Sequence, residues 1–432
     1  ANHVDIIGLS GLITPSLEEM THVAREMKRQ DFNIPLLIGG ATTSKIHTAV
    51  KIGPQYNQAV VHVKDASLSV PVISKLLNPD QKDEFVSKLK DEYNTLRIQY
   101  NEARKEIEYL DLEQARKNKL SVNWEKENIV KPSFLGIKKI PDFPLEQIRE
   151  YISWMFFFVA WELRGKFPDI LHDPVKGKEA SKLYHEANRM LDDIIKNKWL
   201  TANAVIGFFP ANANGDDIEV YADESRRKIL TRFVNLRNQN KKNDDSPNLC
   251  LSDFIAPVES GIHDYIGAFA VTAGLGADEK VKEFQKEGDD YSAIMLKILA
   301  DRLAEAFTEL LHFKVRKEYW GYAENEKISL DEMLREKYRG IRPAHGYPAC
   351  PDHSEKTSLF SLLKARENAG INLTENYSMV PAASVSGLYF ANPQARYFHV
   401  GKISKDQLTD YAARKNLNVK EMEKILASNI NF

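Results

Sequence analysis

The sequence predicts two kinds of fold in succession: a parallel, doubly wound α/β unit and then a larger α+β domain with an antiparallel sheet flanked by helices. In the first ninety residues, three short apolar runs alternate with helical patterns, an order typical of parallel sheets. Later apolar runs are separated by polar turns, which favours hairpins. A length of 432 residues is enough for two or three domains.

The α/β unit consists of three strand–helix repeats. Its strands are predicted at residues 4–10, 34–38 and 59–63. The second strand ends at Gly39 and Gly40, and Thr43 or Ser44 is placed to cap the helix that follows. Because doubly wound sheets usually carry five or six strands, we expect the missing strands to precede Ala1 and the unit to be truncated.

A charged segment separates this unit from the second domain. Residues 80–119 are rich in both acidic and basic side chains. An apolar stripe at helical spacing within them predicts a linker helix with one apolar face. Residues 123–144 contain three prolines and are predicted to be irregular.

The second domain has the pattern of an antiparallel sheet with separate helices. Strands are predicted at residues 205–209, 218–221, 265–272, 385–389 and 395–402. The last two are predicted to pair as a hairpin around Asn392 and Pro393, and a long helix is predicted from about Asp290. The aromatic segment 151–161 is expected to be mostly core, with Ser153 as its polar break.

Composition excludes several classes of protein. With 59 basic and 61 acidic side chains the chain lacks the positive charge of a general nucleic-acid binder or of a protein drawn to acidic membranes. Cys250 and Cys350 are too few for a disulfide framework, so a reducing cytoplasm is expected. The longest apolar run is shorter than the roughly 20 residues of a membrane span. We therefore predict neither a nucleic-acid nor a membrane partner.

Two loops at one edge of the parallel sheet suggest a ligand site. The segments 10–14 and 39–44 each follow a predicted strand, and ligands of open parallel sheets bind at the carboxyl ends of the strands. Glycines there allow close approach of a ligand to the backbone. The alternative is a simple tight turn. The chain has neither a P-loop nor a GxGxxG motif, which disfavours ordinary nucleotide binding.

A proline-rich stretch at 340–351 is the second candidate site. Its prolines fix an extended backbone whose amides and carbonyls are free for a ligand, and Arg342 offers a planar fork for a carboxylate. The alternative is a rigid surface connection. His345, Cys350 and His353 could be metal ligands, but Cys-x-x-His is only half of a zinc site, and no metal is predicted.

Four segments resemble cobalamin-dependent methionine synthase: 8–16, 38–44, 342–351 and 383–387. The likeness runs in order over essentially the whole chain. It implies a carboxy-terminal piece of that enzyme, with the end of a Rossmann-like cobalamin-binding domain at 1–87, a charged helical linker at 88–103 and an AdoMet-binding activation domain at 104–432.

The resemblance also implies a function. The family's full enzyme is a methyltransferase that moves a methyl group from methyltetrahydrofolate to homocysteine through cobalamin, and its zinc belongs to the homocysteine domain, which this chain lacks. When the cobalt oxidises, repair needs an electron from flavodoxin or a flavoprotein reductase and a methyl group from AdoMet. The implied role of this chain is that repair. Its implied partners are the electron donor and the missing N-terminal domains.

The family's binding positions map onto this chain residue by residue, and none of them is carried over as a catalytic residue. The implied AdoMet-binding residues are Arg342, Ala344, Gly346, Tyr347, Tyr397, Phe398 and Ser153. The implied cobalamin-binding residues are Ser10, Thr14, Ser16, Gly39, Gly40, Ala66 and His353.

The chain departs from the family pattern in three respects. It lacks the DxHxxG motif, so we expect impaired cobalamin binding. Ser153 stands where an aspartate is frequent, and His345 where a proline is usual, which puts AdoMet affinity in question. Two alternatives remain open: a non-catalytic AdoMet-binding and flavodoxin-docking module, and a scaffold that uses its charged helix for interaction.

Overall fold

The computed structural model describes residues 4–11, 16–64, 68–105, 108–125 and 129–431. The N-terminal unit has a parallel sheet in the order β1-β2-β3. Its elements are β1 (Ile7–Ser10), α1 (Ser16–Arg29), β2 (Leu36–Gly39), α2 (Lys45–His47), β3 (Val60–His62), α3 (Ser69–Leu77) and α4 (Pro79–Lys105). The Ser44 side chain, one of the two predicted candidates, caps α2 by accepting a hydrogen bond from the His47 amide.

Helices cover both faces of this parallel sheet. Met20 of α1 packs with Leu36 and Ile38 on one face, whereas Leu89 and Tyr93 of α4 pack against the opposite face. Alternate residues of a strand point to opposite faces, so a strand covered on both sides is apolar throughout. The predicted parallel α/β unit is confirmed.

The charged helix is attached to the sheet along its apolar stripe. The Tyr93 hydroxyl accepts a hydrogen bond from the His62 amide at 3.0 Å, and Arg97 Nε donates to the Ala49 carbonyl at 2.7 Å. The predicted boundary at 87/88 falls inside this continuous helix. The limits 1–87, 88–103 and 104–432 therefore stay a prediction.

The second part is built around a six-stranded antiparallel sheet in the order β11-β8-β5-β6-β7, with β4 paired to β5. Its strands are β4 (Gly136–Ile140), β5 (Thr201–Asn214), β6 (Asp217–Tyr221), β7 (Ile229–Phe233), β8 (Asp264–Leu275) and β11 (Ser384–Tyr389), and the short pair β9 (Asn372–Leu373) and β10 (Met379–Val380) lies apart. Its helices are α5 (Leu112–Lys117), α6 (Leu145–Arg149), α7 (Trp154–Ala160), α8 (Gly177–Asn197), α9 (Ala277–Lys286), α10 (Asp290–Lys314), α11 (Leu330–Leu334), α12 (Lys356–Leu363), α13 (Ala365–Ala369), α14 (Lys405–Arg414) and α15 (Val419–Ile425).

Two apolar layers sandwich this sheet. Phe208 of β5 belongs to the layer that contains α8 and α10. The adjacent Phe209 belongs to the opposite layer, which contains α12. The 25-residue α10 supplies much of the first layer, and its inner residues, such as Leu303 and Phe307, are fully buried. The prediction of an antiparallel sheet flanked by helices is confirmed.

Two local predictions were wrong. Residues 395–402 form no strand, because the chain after β11 folds back onto the proline-rich loop, where the Val400 amide donates to the Pro348 carbonyl at 2.8 Å. β11 pairs with β8 instead. Within the segment predicted to be irregular, Gly136–Ile140 is a strand, because the first half of the long β5 has an edge free to pair with it.

The aromatic segment 151–161 is only partly core. Phe157 and Phe158 are fully buried, whereas Met155, Phe156 and Val159 on the same short helix are exposed. A helix of seven residues on a surface buries one face only, so an all-apolar sequence leaves its other face in solvent. Among the described helices, none combines the length and apolar character that a membrane span requires.

Candidate functional site

A cleft of about 340 Å³ lies beside the proline-rich loop, within the size range of small-molecule sites. Five of the predicted AdoMet-binding residues line it: Arg342, Ala344, Tyr347, Tyr397 and Phe398. The proline-rich loop and the segment after β11 therefore meet, although about fifty residues separate their lining side chains in the sequence.

The proline-rich loop is braced against β11. Ile341 forms an isolated bridge with Phe390, and the Leu388 amide donates to the Pro343 carbonyl at 2.9 Å. Gly387 permits this approach, since a Cβ there would lie 2.5 Å from the Pro343 carbonyl oxygen. The backbone of the loop is thus fixed before any ligand arrives, which lowers the entropic cost of binding.

Gly346 forms the tight turn at the tip of this loop. Its φ of +96° is in the left-handed region, and a Cβ would lie 2.2 Å from the His353 ring. His353 Nδ1 is 3.0 Å from Lys356 Nζ, and burial, together with Lys356, lowers the pKa of His353 to about 4. His353 therefore lies neutral beneath the turn, as a support for it.

Arg342 is the cation of the cleft. Its guanidinium is largely buried and pairs through Nη2 with Oε1 of Glu309. Burial by itself would lower the pKa of Arg342. The Glu309 carboxylate stabilises the charged guanidinium, and the net result is a pKa above the usual value for arginine. The Arg342 amide also donates to the Tyr397 hydroxyl at 3.1 Å, and this hydroxyl is 3.3 Å from that of Tyr338.

Two acidic side chains that the sequence did not single out, Glu305 and Glu336, also line the cleft. Among 61 acidic residues no pair could be nominated from sequence. The available signal was the spacing of Glu305 and Glu309, one helical turn apart on α10. A fixed arginine facing two carboxylates suits a ligand that carries both a carboxylate and positive charge.

Two predicted AdoMet-binding residues are not among the residues that line the cleft. Gly346 lies in the same loop and shapes its turn. Ser153 is half-buried at the start of α7, where the neighbouring Trp154 ring packs edge-on against Tyr184. The assignment of Gly346 and Ser153 to AdoMet binding stays a prediction.

Three of the predicted cobalamin-binding residues, Ser10, Gly39 and Gly40, lie at the carboxyl ends of β1 and β2. Ser10 and Ser16 line a groove of about 280 Å³ together with Leu9, Met20 and Asn376. Hydroxyl groups beside apolar side chains are chemically compatible with the heterocyclic tail of cobalamin, and the assignment of Ser10 and Ser16 to that cofactor stays a prediction. The predicted residues Thr14 and Ala66 lie outside the described residues.

The glycine pair after β2 has a packing explanation of its own. Gly40 has φ +103°, and a Cβ there would lie 2.3 Å from the Gly11 carbonyl oxygen. The Gly11 amide donates to the Gly39 carbonyl at 2.9 Å. The two loops at this edge therefore pack against each other, and the need for glycine at position 40 does not itself demand a cofactor.

Comparison with known proteins identifies the family. The family model described as vitamin B12 dependent methionine synthase, activation domain, matches residues 144–416. The chain belongs to this family. A solved structure described as the MetH reactivation domain bound to AdoHcy is 48% identical, with a TM-score of 0.73, and the match covers 75% of this chain and 99% of that chain. The resemblance inferred from the sequence is confirmed, and membership of this family gives the chain a methyltransferase context.

His345 is a buried histidine in the activation-domain loop. It is 2% exposed, stacks on Phe233 with ring centroids 5.8 Å apart, and neither ring nitrogen has a hydrogen-bond partner. Within the described ranges, no group of three or more His, Cys, Asp or Glu side chains is arranged to hold a metal ion.

Replacing His345 with phenylalanine is expected to flatten the dependence of stability on pH. Burial lowers the pKa of His345 to about 3 in the fold, whereas in the unfolded chain it titrates near its usual 6.5. Below about pH 6.5 the unfolded state binds a proton that the folded state does not. This histidine therefore lowers the free energy of unfolding by about 1 kcal/mol for each unit that the pH falls. Urea unfolding at pH 7, 6 and 5 measures the difference. Parallel curves for the two proteins would contradict this account.

Proposed function

We propose that this chain is the reactivation part of cobalamin-dependent methionine synthase. It would bind AdoMet in the cleft beside Arg342 and hold its methyl group for the remethylation of cobalamin after cob(II)alamin is reduced. The observation that carries this proposal is the braced cleft with one arginine and two carboxylates. Family membership and the AdoHcy bound to the 48%-identical relative support it.

The charges of the cleft correspond to those of AdoMet. Arg342 would receive the ligand carboxylate through charge-assisted hydrogen bonds. Glu305 and Glu336 would lie near its ammonium and sulfonium charges. Tyr347, which is 63% exposed, and Phe398 offer ring surface at the same cleft for the adenosine part. Ala344 and Gly346 would contribute backbone, Tyr397 would close the site, and Ser153 would add a hydroxyl.

Cobalamin, when bound, supplies the nucleophilic metal for the methyl transfer. The residues of this chain would orient the two reactants. In the N-terminal unit, the residues proposed to hold the cofactor are Ser10, Thr14, Ser16, Gly39, Gly40 and Ala66. His353 would face it from the activation domain. Positioning in a closed site is the main contribution that such residues make to rate.

The remaining partners follow from the family. We propose flavodoxin or a flavoprotein reductase as the electron donor and the N-terminal domains of the same enzyme as the source of methyltetrahydrofolate, homocysteine and zinc chemistry. The charged, mixed-sign surface of α4 is compatible with contacts to other domains. The full conversion of homocysteine to methionine would require those domains.

Transfer of label from AdoMet tests the proposal. The chain is mixed with cob(II)alamin, a chemical reductant and AdoMet labelled in its methyl group, and cobalamin is separated and counted. We expect label on cobalamin above a protein-free control. If AdoMet binds but no label moves, the non-catalytic AdoMet-binding and flavodoxin-docking module becomes the better description.

A further inference from the structure

Behind Arg342 lies a third carboxylate, that of Glu309, which does not line the cleft. Glu309 follows Glu305 by one turn on α10, and its side chain is 12% exposed. Its Oε1 pairs with Arg342 Nη2, while its Oε2 and the Arg342 Nε are buried without a protein partner. Glu309 therefore contacts the arginine from the protein side, and Glu305 lies on the ligand side.

The neighbouring buried cation, Arg316, has a carboxylate partner of its own, although it is close enough to act on the charge of Glu309. Arg316, the other buried arginine nearby, bonds Glu326 through Nε at 2.9 Å, and its guanidinium carbon lies 4.5 Å from the Tyr338 ring centroid. His312 is fully buried and its pKa is far below the usual value because of burial and nearby cations, so it is neutral. Glu309 is thus the carboxylate that fixes Arg342.

We propose that Glu309 is a positioning residue that holds the Arg342 fork in place for the carboxylate of an amino-acid ligand. An unrestrained arginine side chain loses rotamer entropy when it is fixed by a ligand. Because the ion pair with Glu309 already restricts the arginine rotamers in the folded protein, less of this entropy is lost when the ligand binds. One turn of α10 separates Glu309, which holds Arg342, from Glu305, which faces the ligand. The inference rests on the proposed function, because it assumes a ligand of the AdoMet type.

Paired ligands test this role. AdoHcy carries the aminocarboxyl group, and 5′-methylthioadenosine shares its adenosine and sulfur but lacks that group. In Glu309→Met we expect the Kd for AdoHcy to rise about tenfold and the Kd for 5′-methylthioadenosine to change less than about twofold. Glu309→Gln keeps an acceptor oxygen, so the loss for AdoHcy should shrink to about threefold. The matched control is Glu326→Gln, which weakens the neighbouring buried arginine pair and should change neither Kd.

The outcomes separate the two claims. Equal weakening of both ligands in Glu309→Met, or no weakening of either, would overturn the positioning role. If Glu309→Met does not fold, the selective threefold loss in Glu309→Gln decides, and an unchanged Kd for AdoHcy there would overturn the inference. If the unaltered chain binds neither ligand, the proposed function fails and the inference fails with it.

Discussion

Replacing Arg342 with alanine is expected to weaken AdoMet binding at least tenfold and to lower the free energy of unfolding by about 3–5 kcal/mol. The affinity falls because the ligand carboxylate loses its charged partner. The stability falls because Glu309 is left buried without its ion-pair partner. Calorimetric titration measures the first effect and urea unfolding the second.

A second arginine provides the control for this variant. Arg339 donates to two backbone carbonyls, those of Ala391 and Tyr322, at 3.0 Å each, and it does not line the cleft. We expect Arg339→Ala to cost stability while leaving the Kd for AdoMet within about twofold. An unchanged Kd in Arg342→Ala would show that the cleft does not hold the ligand carboxylate.

Replacing Gly346 with alanine is expected to displace the tip of the loop and weaken AdoMet binding. A residue with a Cβ is strained at φ +96° by about 1–3 kcal/mol, and the added methyl would lie 2.2 Å from the His353 ring. Either the ring or the loop must move, and both are close to the cleft. Thermal unfolding and AdoMet titration check the two effects.

Gly370 offers the matched control for backbone strain. It also has a positive φ, +76°, but a Cβ there would meet only Leu275 at an ordinary 3.4 Å. Gly370→Ala should therefore lose stability without losing affinity. The double variant Gly346→Ala with His353→Ala should recover part of the affinity, because it removes the clash. Equal affinities for Gly346→Ala and the unaltered chain would refute the role of the turn.

Local rules were enough for much of the fold. The three parallel strands could be read from continuous apolar runs, since a strand buried on both faces has no polar side to hide. The cap of α2 was narrowed to Thr43 or Ser44, because a short hydroxyl before a helix accepts its free amides, and in the structure it is Ser44. The proline-rich loop could be identified because its prolines exclude a helix.

The features that could not be predicted from the sequence depend on contacts between residues far apart in the chain. Whether residues 395–402 pair with β11 or fold back on Pro348 depends on β8 occupying the neighbouring position in the sheet, which no local pattern encodes. The role of Glu305 depends on α10 lying beside a loop some forty residues later in the chain. The strand Gly136–Ile140 depends on the extra length of β5.

Calorimetric titration of the chain with AdoMet tests the central claim most directly. The account predicts a single saturable site with one ligand per chain and a dissociation constant below millimolar, and it predicts that Arg342→Ala weakens that binding at least tenfold while Arg339→Ala does not. No saturable heat at millimolar AdoMet in the unaltered chain would contradict it.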